Sequence, residues 1–341
     1  MSYSRVKEIV NQVEQLTPTE QNTLYCELTP WLSIMKRRLE QATLEDLREA
    51  RFSKGLQCPR CESVQVKRNG CFKDKKGIIK QRYLCKECGR TFNDLTGTPL
   101  AYSKKQSLWG KMAACMVEGL SVRKAAARLE VNKSTSFRWR HKLLDIRHSM
   151  PQPLLSGVIE ADETYFQESF KGMRLLQERL GRPPRKRGER ASKRGLSREQ
   201  VCVLTSRDRQ AQSTFAVTGK GQPTAARVKE VLQSVIQSTS VLCTDGAFQY
   251  RRFCRDTGVE HRPVDGKKRL KGSIYHINNI NSCHSRLKTW MVRFKGVATK
   301  YLPNYMAWHH YVDQAAKMSA VAAAKQMLVE TCSVLRERKV A

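Results

Sequence analysis

Two aspartates fall in separate apolar, β-branched runs, and a helical segment carrying Asn281 and Lys288 follows them. The first run is Ile159-Glu160-Ala161-Asp162-Glu163-Thr164-Tyr165-Phe166 and the second is Val241-Leu242-Cys243-Thr244-Asp245-Gly246. Alternation sets Asp162 well inside a strand, and the glycine sets Asp245 where a buried strand turns. A carboxylate embedded in apolar strand costs free energy unless it is paired or binds a metal. Two of them on neighbouring strands make a metal the economical explanation, although Asp245 before Gly246 also suits a plain turn cap. The surrounding pattern predicts strands at Gly157–Phe166, Val201–Ser206 and Ser213–Thr218, then a helix at Ala225–Ile236. A strand ending at Asp245, a short helix, a strand near Glu260–Val264 and a helix over Asn279–Phe294 follow.

Three strands, a helix, a strand, a helix, a strand and a helix is the element order of an RNase H-like core, a mixed sheet flanked by helices. Its chemistry would be phosphodiester cleavage and joining. Two Mg²⁺ (or Mn²⁺) ions about 4 Å apart can activate the attacking oxygen and stabilise the leaving one. Mg²⁺ takes a few carboxylates with water and substrate phosphate, so the ligands must converge from separate elements. Asn281, His284 and Lys288 are spaced three and four apart and share one helix face. Asn281 offers a neutral carbonyl oxygen, Lys288 can reach a phosphate, and His284 either orients the reacting groups or is an ordinary satisfied histidine. Glu160 shares a strand face with Asp162 and is a candidate to offset the missing third charge, whereas Glu163 faces the other way.

Upstream, the chain reads as a series of smaller modules. Val6, Ile9, Val10, Val13 and Leu16 recur at helical spacing, Thr17-Pro18-Thr19-Glu20 opens a second helix with a capping box, and Leu44 to Phe52 reads as a third. Residues 1–56 therefore form a helical module. Cys58-Pro59-Arg60-Cys61 and Cys85-Lys86-Glu87-Cys88 bracket short β-like runs, and four thiolates at that spacing suit one structural Zn²⁺ in a ribbon over 57–102. Cys71 lies off the pattern, and the scattered Cys26, Cys115, Cys202, Cys243, Cys254, Cys283 and Cys332 read as buried apolar residues.

Residues 103–150 read as a helix-turn-helix: a helix opening at Ser103 and running to Val117, a second capped by Ser121, a short turn, and a third from Ser134. Trp139 and Leu143 belong to its core, which turns Lys133, Thr135, Ser136, Arg138 and Arg140 outward for groove and phosphate contact. Pro151-Gln152-Pro153 marks the linker to the catalytic core, residues 155–300. Its insertion at 171–198 holds eleven Lys/Arg against two Glu. Arg185, Lys186 and Arg187 within it are candidates for gripping DNA backbone. Residues 301–341 form a helical tail.

Charge points to the partner. The chain carries a net +32, yet residues 1–50 are slightly acidic, so the excess lies entirely beyond them. A polyanion is the expected partner for such a surface, and the first fifty residues are better suited to protein contact. No apolar run approaches the roughly 20 residues of a membrane span, and the N-terminus has no signal-peptide core. A reducing cytoplasm, with association to the bacterial nucleoid, is the expected compartment, and there CxxC pairs indicate metal rather than disulfides.

Together these motifs resemble a known family. Glu160 to Phe166 looks like the first-aspartate strand of insertion-sequence transposases of the DDE superfamily, and Thr244-Asp245-Gly246 like the second. His276 to Tyr305 resembles the third-residue helix of a subgroup with an N-terminal zinc ribbon, in which Asn replaces the third acid to give a D-D-N-K set. The resemblance covers roughly residues 57–310. It implies metal ligation by Asp162, Asp245 and Asn281, with Lys288 as the trailing lysine. It also implies double-stranded DNA (transposon ends and target) as partner, and transfer of a 3′-hydroxyl into target DNA. Pairing two ends requires at least two active sites, so a homo-oligomer on DNA is expected. The competing reading is a transposase-derived DNA-binding regulator, silenced by the amide at position 281. A third, a zinc-ribbon transcription factor, leaves the strand carboxylates unexplained.

Overall fold

Thr17 and Glu20 close the capping box that the sequence prescribes. Thr17 Oγ1 accepts from the Glu20 N–H at 3.4 Å, and the Glu20 carboxylate accepts from the Thr17 N–H at 2.8 Å. The computed structural model describes residues 3–53, 55–74, 77–173, 195–264 and 274–333. It resolves into two compact units, one formed by Met1–Trp109 with Lys325–Ala341, the other by Gly110–Ala324.

In the first unit, α1 (Tyr3–Glu14) precedes α2 (Pro18–Arg51), a single helix where the sequence suggested two separate stretches. Pro30 lies inside α2 without ending it. The C-terminal end of α2 is docked on a three-stranded antiparallel sheet of β1 (Val66–Lys73), β2 (Ile79–Cys85) and β3 (Thr91–Asn93). Arg48 forks onto the buried Asp94 carboxylate at 2.9 and 3.1 Å, and Asp94 also accepts from the Gln81 N–H at 3.0 Å. Such a bidentate charge-assisted pair fixes orientation as well as distance. Tyr83 and Phe92 stack with ring centroids 5.2 Å apart, and with Cys58 and Cys85 they form the small core of this ribbon. Residues 325–333 belong to this unit, where Lys325 pairs with Asp46 at 2.5 Å.

Late in the first unit Ser103 does not start a helix: a 3-10 turn at Gln106–Leu108 leads into α3 (Trp109–Val117), with which the second unit opens. The Ser103 hydroxyl instead accepts from the Trp109 indole N–H at 3.0 Å. Ser121 caps α4 (Val122–Arg128) and Asn132 caps α5 (Lys133–Ser149), with Glu130 between them in the left-handed region at φ 52°. α5 packs on α9 (Leu302–Gln314), where Asn304 donates to Asp145 at 2.8 Å. Trp308 of α9 donates its indole N–H to the Met116 carbonyl at 2.9 Å.

The sheet of this unit runs β6-β5-β4-β7-β8. Its strands are β4 (Val158–Gln167), β5 (Gln200–Asp208), β6 (Ser213–Lys220), β7 (Val241–Thr244) and β8 (Glu260–Pro263). β6, β5 and β4 pair antiparallel; β4, β7 and β8 pair parallel. Parallel neighbours need a crossover, and α6 (Ala225–Gln233) and α7 (Phe248–Thr257) lie in those connections. Their buried Val228, Leu232, Tyr250 and Phe253 form one core with Ile159, Ala161 and Leu242. The alternate residues of β4, Glu160 and Asp162, face α8 (Asn278–Val292). The result is a mixed sheet covered by helices on both faces. The tail ends in α10 (Ala320–Ser333).

The scattered cysteines are buried as expected except Cys26, which is exposed on α2. Among the described residues no helix is long and apolar enough to cross a membrane.

Candidate functional site

The parallel register of β4 and β7 brings the two aspartates level. Val158, Ile159 and Glu160 pair with Val241, Leu242 and Cys243. Carried on by two residues, the same register sets Asp162, in the middle of β4, abreast of Asp245, which directly follows the carboxyl end of β7. Asp245 is exposed, and its Oδ1 accepts from the Ala247 N–H at 3.0 Å, so it also caps the turn into α7. Gly246 makes that turn at φ 80°, and an added Cβ would meet Pro263 at 3.1 Å.

Burial pushes the Asp162 carboxyl up to about 6, the charges of Glu163 and Asp245 push the same way, and the Lys288 ammonium opposes them. A buried carboxyl whose ionisation is disfavoured by neighbouring carboxylates is a donor suited to a hard cation. His284 lies on the α8 face toward Asp162, with Nδ1 3.7 Å from Asp162 Oδ2. Burial, then the nearby Lys288 charge, lowers this imidazole to about 4, so it is neutral at pH 7. Its buried Nε2 has no hydrogen-bond partner among the described residues. Asn281 and Lys288 are exposed on the same helix, at the i−3 and i+4 positions of His284.

Glu163 faces the other way, as alternation requires, and accepts from Gln249 of α7 at 3.1 Å. Burial raises its carboxyl, opposed first by that hydrogen bond. Glu160 is not free to offset a missing charge. It is fully buried, paired with Arg209, and accepts the Ile280 N–H at 2.8 Å. Sequence reasoning missed this arrangement, because Arg209 sits in a turn far along the chain and carries no motif.

The four predicted zinc ligands converge. Sγ atoms of Cys58 and Cys88 lie 3.7 Å apart and those of Cys61 and Cys85 3.5 Å apart, with all four within 4.8 Å of one another. Zn–S bonds of about 2.3 Å in a tetrahedron put sulfurs about 3.8 Å apart, so the cluster fits Zn²⁺. Gly89 turns the second knuckle at φ 64°. Cys71 lies outside the cluster. Among the described residues this is the one group of three or more Cys, His, Asp or Glu side chains gathered so closely. Among the described residues Asp162 and Asp245 therefore belong to no such group of three.

On α5 the structure divides the predicted DNA-contact residues. Lys133 and Arg138 are exposed and Thr135 is half-buried. Ser136 and Arg140 are buried, contrary to the helical-face expectation. Ser136 donates to the Val122 carbonyl at 3.3 Å, while Arg140 donates to the Leu120 carbonyl at 2.6 Å and lies over the Trp308 ring. The long arginine follows its aromatic partners inward, a choice that spacing on one helix does not reveal. Exposed Arg123 and Lys124 of α4 add positive charge that motif reading passed over. Arg185, Lys186 and Arg187 lie outside the described residues.

Residues 154–311, which include all five candidate catalytic residues, match the ISXO2-like transposase domain. That stretch of the chain is thus similar to the ISXO2-like transposase domain. One relative is an uncharacterised protein in transposable element ISH50 of Halobacterium salinarum, 29% identical over 266 residues, covering 76% of this chain and 86% of that protein. The chain also aligns with a solved pre-cleavage Mos1 transpososome at 13% identity and a TM-score of 0.23, over 64% of this chain and 75% of that one.

Proposed function

We propose that the protein is a metal-dependent DNA transposase that cleaves at the ends of its own insertion sequence and transfers the freed 3′-hydroxyl into target DNA. The observation that carries this reading is the β4–β7 register, which sets Asp162 abreast of Asp245 with α8 alongside. In this reading the mixed sheet is an RNase H-like core with a D-D-N-K set. Asp162, Asp245 and Asn281 would hold Mg²⁺ or Mn²⁺, and two bound ions would supply nucleophile activation and leaving-group stabilisation. His284, neutral and beside Asp162, orients a reacting oxygen or accepts its proton. Lys288, one turn on, neutralises a backbone phosphate.

The remaining modules supply DNA. Residues 57–102 act as a zinc ribbon and 103–150 as a helix-turn-helix, with Lys133, Thr135 and Arg138 toward the duplex. Arg185, Lys186 and Arg187 of the basic insertion grip backbone. Two or more copies assemble on paired ends, in a cytoplasmic, nucleoid-associated setting. The test is a joining assay: the purified protein, Mg²⁺ or Mn²⁺, DNA bearing its element's ends, and a target plasmid. Covalently joined product is expected. Salt-sensitive end binding without nicking or joining would overturn the reading in favour of an inactive regulator.

A further inference from the structure

We propose that Glu160 is a positioning residue of this site, a buried carboxylate that fixes α8 and through it the face carrying Asn281, His284 and Lys288 beside Asp162. The inference rests on the metal-dependent reading above. The first N–H groups of a helix need acceptors that the helix itself does not provide. The residue before α8 is Ile277, whose side chain has no acceptor and makes no cap. Glu160 supplies the missing cap from another element: its Oε2 takes the Ile280 N–H at 2.8 Å. A carboxylate at a helix N-terminus is favoured by the helix dipole as well.

The same carboxylate is held from its other side. Oε1 pairs with Arg209, in the turn between β5 and β6, and His276 Nδ1 lies 3.3 Å away. Arg209 in turn donates to the Ile274 carbonyl at 2.5 Å, on the approach to α8. One buried side chain therefore joins β4, the β5–β6 turn and the start of α8. Its position in the chain matters: Glu160 is two residues from Asp162 on the same strand face, and Ile280 immediately precedes Asn281. A set with two carboxylates and an amide has little charge to spare, so its metal affinity depends on how firmly helix and strand are registered. Residues outside the ligand shell that hold ligands in place commonly contribute about 10- to 100-fold to metal affinity.

The test uses the full chain without DNA. Mn²⁺ binding is read by electron paramagnetic resonance, beside thermal unfolding, for Glu160→Ala, Glu160→Gln, Arg209→Met and Asp162→Ala. Glu160→Ala is expected to weaken Mn²⁺ binding about 10- to 100-fold. Glu160→Gln, which keeps an acceptor for the Ile280 N–H, is expected to recover part of that loss, and Arg209→Met to fall between. A purely structural Glu160 would lower the melting temperature and leave Mn²⁺ affinity at the parental value, which would overturn the inference. Should Glu160→Ala not fold, parental Mn²⁺ affinity in Glu160→Gln and Arg209→Met would overturn it equally. Asp162→Ala separates the two levels: loss of Mn²⁺ binding there, with none in the Glu160 and Arg209 variants, refutes the positioning role alone. Unchanged binding in Asp162→Ala refutes the metal reading and this inference with it.

Discussion

Nδ1 of His284 stands 3.7 Å from Oδ2 of Asp162, beyond hydrogen-bond range, and burial holds the imidazole neutral. The pair is therefore not a salt bridge but an acceptor-bearing ring poised beside a carboxylate. His284→Gln is expected to slow strand cleavage about 10- to 100-fold while Mn²⁺ binding and end binding stay near parental levels. Cleavage rates at single turnover check this; an unimpaired variant would return His284 to a packing role.

In the proposed metal site Asn281 would occupy the place where a third carboxylate would add charge. A unit charge about 4 Å from a cation contributes several kcal/mol in a partly screened site. Asn281→Asp is accordingly expected to tighten Mn²⁺ binding by roughly tenfold or more. Titration of Mn²⁺ against the metal-free chain reads the effect directly, and unchanged affinity would place Asn281 outside the ligand set.

The element order of the core was legible because strands and helices alternate in period, and the Asp162 and Asp245 strands could be picked out by carboxylates in apolar runs. The four-cysteine cluster was legible because four thiolates at CxxC spacing have few other uses. What could not be read was set by distant partners. Arg140 turns inward because Trp308 and the Leu120 carbonyl wait for it, and Glu160 is consumed by Arg209 and the Ile280 N–H. The continuity of α2 through Pro30 is likewise a helix-wide balance that a local breaker signal misjudges.

The sulfur geometry of Cys58, Cys61, Cys85 and Cys88 fits one Zn²⁺, and the small core around it is expected to depend on that ion. About one Zn²⁺ per chain is expected by elemental analysis. A chelator is expected to abolish the protection of residues 57–101 in hydrogen exchange, since metal binding and folding are one equilibrium in such modules. A protected, zinc-free ribbon would contradict this.

The exposed and buried halves of α5 should respond differently. Lys133→Ala and Arg138→Ala are each expected to weaken end binding and to reduce the salt slope by about 1, the signature of one lost phosphate contact. Arg140→Leu is expected to lower the melting temperature instead. Equal slopes in all three variants and the parent would remove α5 from the DNA interface.

His141 is buried between Phe137 and Tyr301, and desolvation lowers it to about 4 from an ordinary value of 6.5. The native imidazole thus stays neutral where the unfolded one takes a proton. Its contribution is present above about pH 6.5 and is lost as pH falls toward 4, by up to about 3 kcal/mol. His141→Phe, which keeps a ring and removes the titration, is expected to flatten the decline in stability between pH 6.5 and 4. An unaltered slope in denaturant melts would show that His141 titrates normally.

The most direct test of the whole account is strand transfer by Asp162→Ala and Asp245→Ala, each assayed with Mn²⁺ on the element's own end DNA. Both are expected to lose cleavage and joining entirely while binding those ends with parental affinity and salt dependence. Joining by either variant at the parental rate would contradict the claim that these two carboxylates, level on adjacent parallel strands, form the catalytic centre.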